Sequence, residues 1–451
     1  MPRRHRSSSP VRKPRPTARG WTLFGVGVVA LVAALVFGRS DVLFAGLFLV
    51  TVPLAAMLSV TVDRPRLGVS RTFQPDVVAV GETTTVSTTA RNESPRASPP
   101  ARWREFAPSG LEVQPSAPFP RLEAHQPAIH RAKDAVTLRQ DIRATRRGSH
   151  EVGPLIVSRT DPFGLAYAEY TVGQPRQLVV TPRARGLARG ELDIARSEGT
   201  EHELLRHSIP SADELIAREY RPGDPLRRVH WRATARHDKL MVRQEEQRSN
   251  PEAWILFDTQ IAAHRDARFA PMAVTGDDID AEFEELVELV ASVGVHLLHE
   301  GFVVSVVETA QRQLGGRTGA GRSGTLGSTT PTYDLGGADR LLLSDLASVE
   351  QTMDTRDDAV AELTTGLRRS GRAVPVFAML LAGSHEEVGA LAAVRSMCDP
   401  AVAFVGAHAD PSVTEVLSDA GWICVPFSSA EGTVTAWRHA LSQHRLAAQR
   451  G

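Results

Sequence analysis

The alternation of apolar and polar positions divides the chain into four stretches. Residues 1–20 are basic and rich in Ser and Pro, too polar to bury a core, and read as a disordered N-terminus. Trp21 to Phe37 is then almost wholly apolar, Gly38-Arg39-Ser40-Asp41 interrupts it, and Val42 to Val62 is apolar again. The first run lies at the short end of what spans a bilayer and the second is comfortably long, so residues 21–62 predict a transmembrane helix hairpin. Pro53 is tolerable in such a helix.

From residue 66 to residue 183 the pattern changes to short alternating runs broken by Pro and Gly. Val77–Val80, Thr83–Thr89, Val136–Ile142 and Gln177–Thr181 read as strands, and no useful helical period appears. These predict an all-β, sandwich-like domain of immunoglobulin type. Arg147-Gly148 reads as a hairpin turn and Asp161-Pro162 as the start of another, with Phe163 and Leu165 as core anchors.

Residues 184–250 form a connector, and residues 251–447 alternate strands with helices. Trp254–Asp258 reads as a buried strand ending in a carboxylate. The helix from about Asp280 to His299 carries Phe283, Leu286, Val287, Val290, Gly294 and Leu297 on one face. Strands follow at Phe302–Val307, Val374–Leu381, Ala401–Val405 and Trp422–Phe427, with helices near 356–369, 385–396, 411–420 and 432–446. Such alternation predicts an α/β, Rossmann-like domain with a parallel sheet covered on both faces. Residues 311–334, rich in Gly, Ser, Thr and Arg, read as a flexible loop. The G-x-G-x-x-G match at Gly319–Gly324 has neither the preceding strand nor the following helix of a nucleotide site.

Composition narrows the classes. The 451 residues suffice for two or three domains, and the formal net charge of +0 gives no global nucleic-acid signal. Only two cysteines occur, Cys398 and Cys424, which argues against a disulfide framework. His296, His299 and Glu300 sit at helical spacing, but at a helix end, where histidine suits the dipole. Basic residues Arg3, Arg4, Arg6, Arg12, Lys13, Arg15 and Arg19 precede the apolar hairpin, and Arg64, Arg66 and Arg71 follow it. Only Arg39 lies between. The positive-inside rule therefore places both ends of the hairpin, and the bulk of the chain, in the cytoplasm. A cleaved signal peptide followed by one span is the alternative, but no convincing small-x-small cleavage site precedes Asp41.

The densest chemistry lies in Glu219-Tyr220-Arg221-Pro222-Gly223-Asp224-Pro225 and the helix expected after it. Pro222-Gly223 forms a turn, Asp224 caps, and Pro225 takes the first helical position. Leu226, Val229, His230, Ala233 and His237 share one face. Arg228, Arg232 and Arg236 line another, beside Trp231, and Lys239–Arg243 reads as a short strand. A buried connector whose arginines pair with Glu214, Glu219, Glu245 and Glu246 fits these residues. So does a docking or anion-binding helix using Arg221, Asp224, Arg227, Arg228, His230, Trp231, Arg232 and Arg236.

This run resembles the signature of the bacterial "domain of unknown function 58" family, through Arg218, Glu219, Tyr220, Pro222, Gly223, Asp224, Arg227, His230, Trp231, Ala235 and Arg236. Arg146–Leu155 and Asp161–Leu165 resemble a second recurring segment of that family. The resemblance implies a membrane-anchored protein with a von Willebrand factor type A-like C-terminal domain. It also implies a MoxR-type AAA+ ATPase and a transglutaminase-like membrane protein as partners, and an accessory or scaffold role without an established reaction. Type A domains often hold Mg²⁺ through Asp-x-Ser-x-Ser. Here the run is Asp258-Thr259-Gln260-Ile261-Ala262, so only Asp258 remains and the metal site reads as degenerate, with no metal or cofactor expected. An alternative is a hydrolase or phosphate-binding enzyme using Asp224, His230 and the arginines.

Overall fold

The computed structural model describes residues 12–62, 64–125, 132–187, 217–219, 234–235, 239–243, 251–261, 276–315, 330–334, 336–354, 356, 358–381, 385–428 and 432–448. The chain divides into two compact units, residues 1–181 and 182–451.

The first unit opens with strand β1 (Arg12–Pro16) and helices α1 (Ala18–Phe37) and α2 (Ser40–Val62). At 20 and 23 residues the helices measure about 30 and 35 Å, long and apolar enough to cross a membrane. Gly38 at φ +63° ends α1 and lets the chain reverse. Glycines also let the two helices approach closely: a Cβ on Gly27 would lie 2.9 Å from Leu49 Cβ, and one on Gly46 2.9 Å from Leu31 N. Most of the outward side chains, including Val29, Leu35, Phe44 and Phe48, are exposed.

Residues 12–20, expected to be disordered, are instead β1 and the start of α1; residues 1–11 lie outside the described residues. The extended Arg12–Pro16 segment satisfies its backbone by pairing antiparallel with β11 (Ala166–Val172), a tertiary gain that composition does not reveal.

The β-rich body comprises β2 (Leu67–Gln74), β3 (Val77–Ala79), β4 (Thr83–Asn92), β5 (Ala101–Glu105), β6 (Leu111–Val113), β7 (Ala117–Phe119), β8 (Ala135–Ala144), β9 (Gly148–Val152), β10 (Leu155–Thr160), β11 and β12 (Arg176–Thr181). One layer is the sheet β2-β4-β8-β6. Facing it are two sheets, β1-β11-β10-β5-β7 and β3-β12-β9, the latter with a parallel β3–β12 pair. The sandwich thus has a divided second layer, unlike the two-sheet arrangement expected. Leu67, Ala90 and Leu138 of the first sheet pack with Trp103, Leu155 and Tyr170. Phe73, Val86 and Ile142, further along the same strands, pack with Val78, Val152 and Leu178.

At the division lies a buried ion pair. Arg71 Nη2 is 3.2 Å from Glu105 Oε2, Thr88 Oγ1 donates to Glu105 Oε1 at 2.6 Å, and Arg71 Nη1 donates to Gln174 O at 2.6 Å. The crossings between sheets pass through Gly153 (φ +100°) and Gly173 (φ +77°). A Cβ on Gly153 would lie 2.8 Å from Arg71 Cζ.

Two local expectations are corrected here. Arg147-Gly148 joins strands of different sheets and makes no hairpin, because β8 pairs with β4 and β6 while β9 pairs with β12. Leu165 is buried as expected, but Phe163 is 72% exposed at the tip of the β10–β11 turn. The last turns of α2 enter the core of this body: Ala56 and Val60 are buried in it, and Tyr170 Oη donates to Val60 O. Both ends of the helical hairpin are therefore attached to one β-rich body.

In the second unit, β13 (Ala217–Glu219) and β14 (Met241–Arg243) form an antiparallel ribbon. The α/β body follows, with β15 (Glu252–Phe257), α3 (Gly276–His299), β16 (Val303–Glu308), β17 (Thr332–Tyr333), α4 (Ala338–Leu346), α5 (Ala359–Ser370), β18 (Val374–Leu380), α6 (His385–Ala393), β19 (Cys398–Gly406), α7 (Pro411–Asp419), β20 (Ile423–Phe427) and α8 (Thr433–Ala448). Its sheet runs β17-β16-β15-β18-β19-β20, parallel except for the antiparallel edge β17.

Alternate residues of β15 face opposite sides. Ala253, Ile255 and Phe257 pack with α3, α4 and α8, and Trp254 and Leu256 with α5, α6 and α7. Trp437 of α8 anchors the first face against Phe404, Phe377 and His296, at ring distances of 6.4, 5.9 and 5.8 Å. His296 is thus a packed core residue, while His299 lies 3.8 Å from Asp339. The stretch read as a flexible loop contributes β17 at its C-terminal end; residues 316–329 lie outside the described residues.

Candidate functional site

The chain leaves β15 for one side of the sheet and returns to β18 on the other, so the carboxyl ends of β15 and β18 flank the point where strand order reverses. Open parallel sheets place ligands at that point. Asp258, the first residue beyond β15, is 3% exposed there. Its Oδ1 accepts from Gln260 N at 3.1 Å and Thr309 Oγ1 at 2.9 Å, and its Oδ2 accepts from Leu381 N at 3.0 Å. Thr309 Oγ1 also accepts from Thr259 N at 3.2 Å. The carboxylate that the sequence marks as a metal-site remnant therefore ties together the ends of three strands, β15, β16 and β18.

One strand further along, beyond β19, lies a pair with no sequence signature of its own. His408 Nδ1 is 2.8 Å from Glu282 Oε2; the Glu282 side chain is 3% exposed and that of His408 40%. Among the described residues, the buried Glu282 Oε1 atom has no hydrogen-bond partner. A Cβ on Gly406 would lie 2.8 Å from Oε1 and 3.2 Å from Leu381 O, so this glycine admits the carboxylate beside the strand ends. A buried carboxylate behind an imidazole fixes the ring's orientation and turns its other nitrogen outward, an arrangement suited to proton transfer or ligand contact. Glu282 lies on the apolar stripe of α3 with Leu286, Leu289 and Val293, and a charge on such a stripe is the signal that could have found it. His408, far away in sequence, has no such signal.

A third polar cluster roots the loop after β16. Glu308 accepts from Gln313 N and Leu314 N, each at 3.0 Å at Oε2, and burial pushes its carboxyl up to about 7 against those donors and Arg356. Asp345 accepts from Tyr333 Oη at 2.8 Å and Gly315 N at 3.1 Å. Burial, followed by the Asp345 charge, raises the Tyr333 phenol above its ordinary range. These groups hold the start of the loop in place. Both cysteines are free, Cys398 buried with its thiol pushed up to about 12 by burial. Among the described residues, no three or more His, Cys, Asp and Glu side chains are grouped to hold a metal ion.

Of the signature segment the structure describes the frame. Ala217, Arg218 and Glu219 pair with Arg243, Val242 and Met241, and Thr234 Oγ1 accepts from Met241 N at 3.0 Å. The expected strand at Lys239–Arg243 is thus present as β14, and the two ends of the segment are brought together. Thr234 and Ala235 are helical. The docking candidates Arg221, Asp224, Arg227, Arg228, His230, Trp231, Arg232 and Arg236 lie outside the described residues.

No curated protein matches the chain. Among solved structures, that of a cycloisomaltooligosaccharide glucanotransferase from Paenibacillus sp., complexed with cycloisomaltoheptaose, is similar at 10% identity and a TM-score of 0.16. The similarity covers 79% of this chain and 52% of that one. The chain spans about half the length of that structure, and so low a TM-score supports no conclusion about fold or activity. A family model does match, and it falls on the segment framed by β13 and β14 together with β15 and Asp258: residues 216–267 match the model of the family described as "Protein of unknown function DUF58".

Proposed function

We propose that this protein is a membrane-anchored accessory protein, with its β-rich and α/β bodies on the cytoplasmic side and its signature segment docking a MoxR-type AAA+ ATPase. The observation that carries the anchoring is the attachment of both hairpin ends to one body, through the β1–β11 pairing and the Tyr170–Val60 contact. With the ends held together, the basic residues on either side of the hairpin act in the same direction and favour the cytoplasm. A sheet of parallel strands with one antiparallel edge, and a carboxylate just after its first strand, supports a von Willebrand factor type A-like reading of the α/β body. In that reading Asp258 is a strand tie, and the docking residues are Arg228, Arg232 and Arg236 of the signature segment. A transglutaminase-like membrane protein is a further candidate for the same assembly.

A second reading, a hydrolase or phosphate-handling enzyme, is favoured by the Glu282–His408 pair beside the reversal point. The two readings separate by affinity capture of the full-length protein from its own membranes, with wild type compared to Arg232→Glu and His408→Gln. Recovery of an AAA+ ATPase with wild type and its loss in Arg232→Glu alone supports docking. Equal recovery in all three removes the arginine stripe from the proposal.

A further inference from the structure

Helix α1 starts against a turn of the β-rich body. Thr17, its N-cap, donates its backbone N–H to Leu165 O at 2.8 Å and its hydroxyl to Gly164 O at 2.7 Å. Gly20, in the first turn of α1, is buried against the same turn, and a Cβ there would overlap Leu165 O. The β10–β11 turn is itself fixed from below. The buried Asp161 carboxylate accepts from Phe163 N at 2.8 Å and from Leu165 N and Ala166 N at 2.6 Å each. At its tip the Phe163 ring is 72% exposed, and Trp21, one turn into α1, is 62% exposed.

A single exposed apolar side chain on a water-facing surface needs no explanation. Phe163 differs in two respects. Its turn is held by three backbone N–H groups that donate to one buried carboxylate, and that turn is bonded to the residue where the apolar helix begins. An aromatic side chain on a turn fixed to the start of a membrane helix falls near the depth where amphipathic and aromatic side chains partition into the headgroup boundary. Arg19, exposed in the first turn of α1, adds a cation suited to lipid phosphate.

The geometry points to the Asp161–Leu165 turn as a lipid anchor, with Phe163 inserted at the headgroup–acyl boundary of the leaflet that Trp21 enters. It rests on the reading of α1 and α2 as membrane-spanning. This contact would hold the β-rich body against the bilayer at a third point, beside the two helix ends.

The test uses full-length protein with Cys398→Ala and Cys424→Ala, reconstituted in phosphatidylcholine–phosphatidylglycerol vesicles, carrying an environment-sensitive fluorophore at Phe163→Cys or, separately, Val29→Cys. Nitroxide lipids labelled near the headgroup should quench the Phe163→Cys probe about twofold more than lipids labelled near the chain end, with blue-shifted emission. The Val29→Cys probe, on the mid-helix, should show the opposite order. Water-like emission and no quenching at Phe163→Cys, with normal quenching at Val29→Cys, overturns the anchor and leaves the spanning helices standing. No quenching at either position overturns the membrane reading beneath it as well.

Discussion

Asp258 separates a strand tie from a metal ligand. Replacing it with Ala removes the acceptor of three donors, Gln260 N, Thr309 Oγ1 and Leu381 N, in a site only 3% exposed. Thr309 can turn its hydroxyl elsewhere, but the two backbone N–H groups cannot. Each buried donor left unpaired costs about 1–3 kcal/mol, partly offset because a buried charge is also removed. The net expectation is about 2–4 kcal/mol, or a fall in melting temperature of about 5–15 °C for a body of this size. Asp258→Asn keeps an acceptor for part of the set but turns an N–H toward a donor, so it should cost about half as much. Melting of the full-length protein in detergent, with hydrogen exchange read at the 258–261 and 379–381 segments, checks both magnitude and place. The loss should be local to these strand ends, and Mg²⁺ should leave wild-type melting unchanged. Unchanged melting and exchange in Asp258→Ala would refute the tie. A Mg²⁺-dependent stabilisation present in wild type and absent in Asp258→Ala would make the residue a ligand.

Three other expectations follow from the same interior. Glu308 is raised to about 7 when folded, so its contribution to stability is fully present below the ordinary carboxylate range and is lost as pH rises through about 7. Glu308→Gln should flatten the stability–pH profile between about pH 5 and 8, an effect on the order of 3 kcal/mol, and an unchanged slope would refute the assignment. Removing the positive partner of the buried Arg71–Glu105 pair by Arg71→Met should cost about 3–5 kcal/mol in denaturant unfolding; a neutral result would mean that the pair is solvated. His408→Gln should retain a donor to Glu282 and near-normal stability, whereas His408→Ala should cost about 1–3 kcal/mol, read as melting temperature.

The parts of the chain legible in sequence are those whose surroundings are uniform. Strand β18 is buried along its whole length because helices cover both faces of its sheet, and such strands read as unbroken apolar runs. The two membrane-length helices are legible for a like reason, since both are apolar around their whole circumference. The β-rich body resists because its inward positions are not reliably apolar. Strand β4 buries Thr84 and Thr88, and β2 buries Arg71 against Glu105, so the alternation that would mark them is masked. Phe163 misleads in the opposite sense, an aromatic residue held at a turn tip outside the core. Among the site residues, Asp258 is legible because it directly follows an apolar strand. The Glu282–His408 pair depends on a contact between α3 and the loop after β19; the charge on the apolar stripe of α3 marks Glu282, but nothing local in sequence marks His408 as its partner.

The central claim, that the hairpin anchors the chain with both bodies on the cytoplasmic side, is tested most directly by paired reporter fusions after residue 451 in a bacterial host. A green fluorescent protein fusion should fluoresce at the membrane, and the matching alkaline phosphatase fusion should be inactive, because both ends of the hairpin share one side and that side is the basic one. Strong phosphatase activity with a dark fluorescent fusion would place the bodies outside the cytoplasm and contradict the claim.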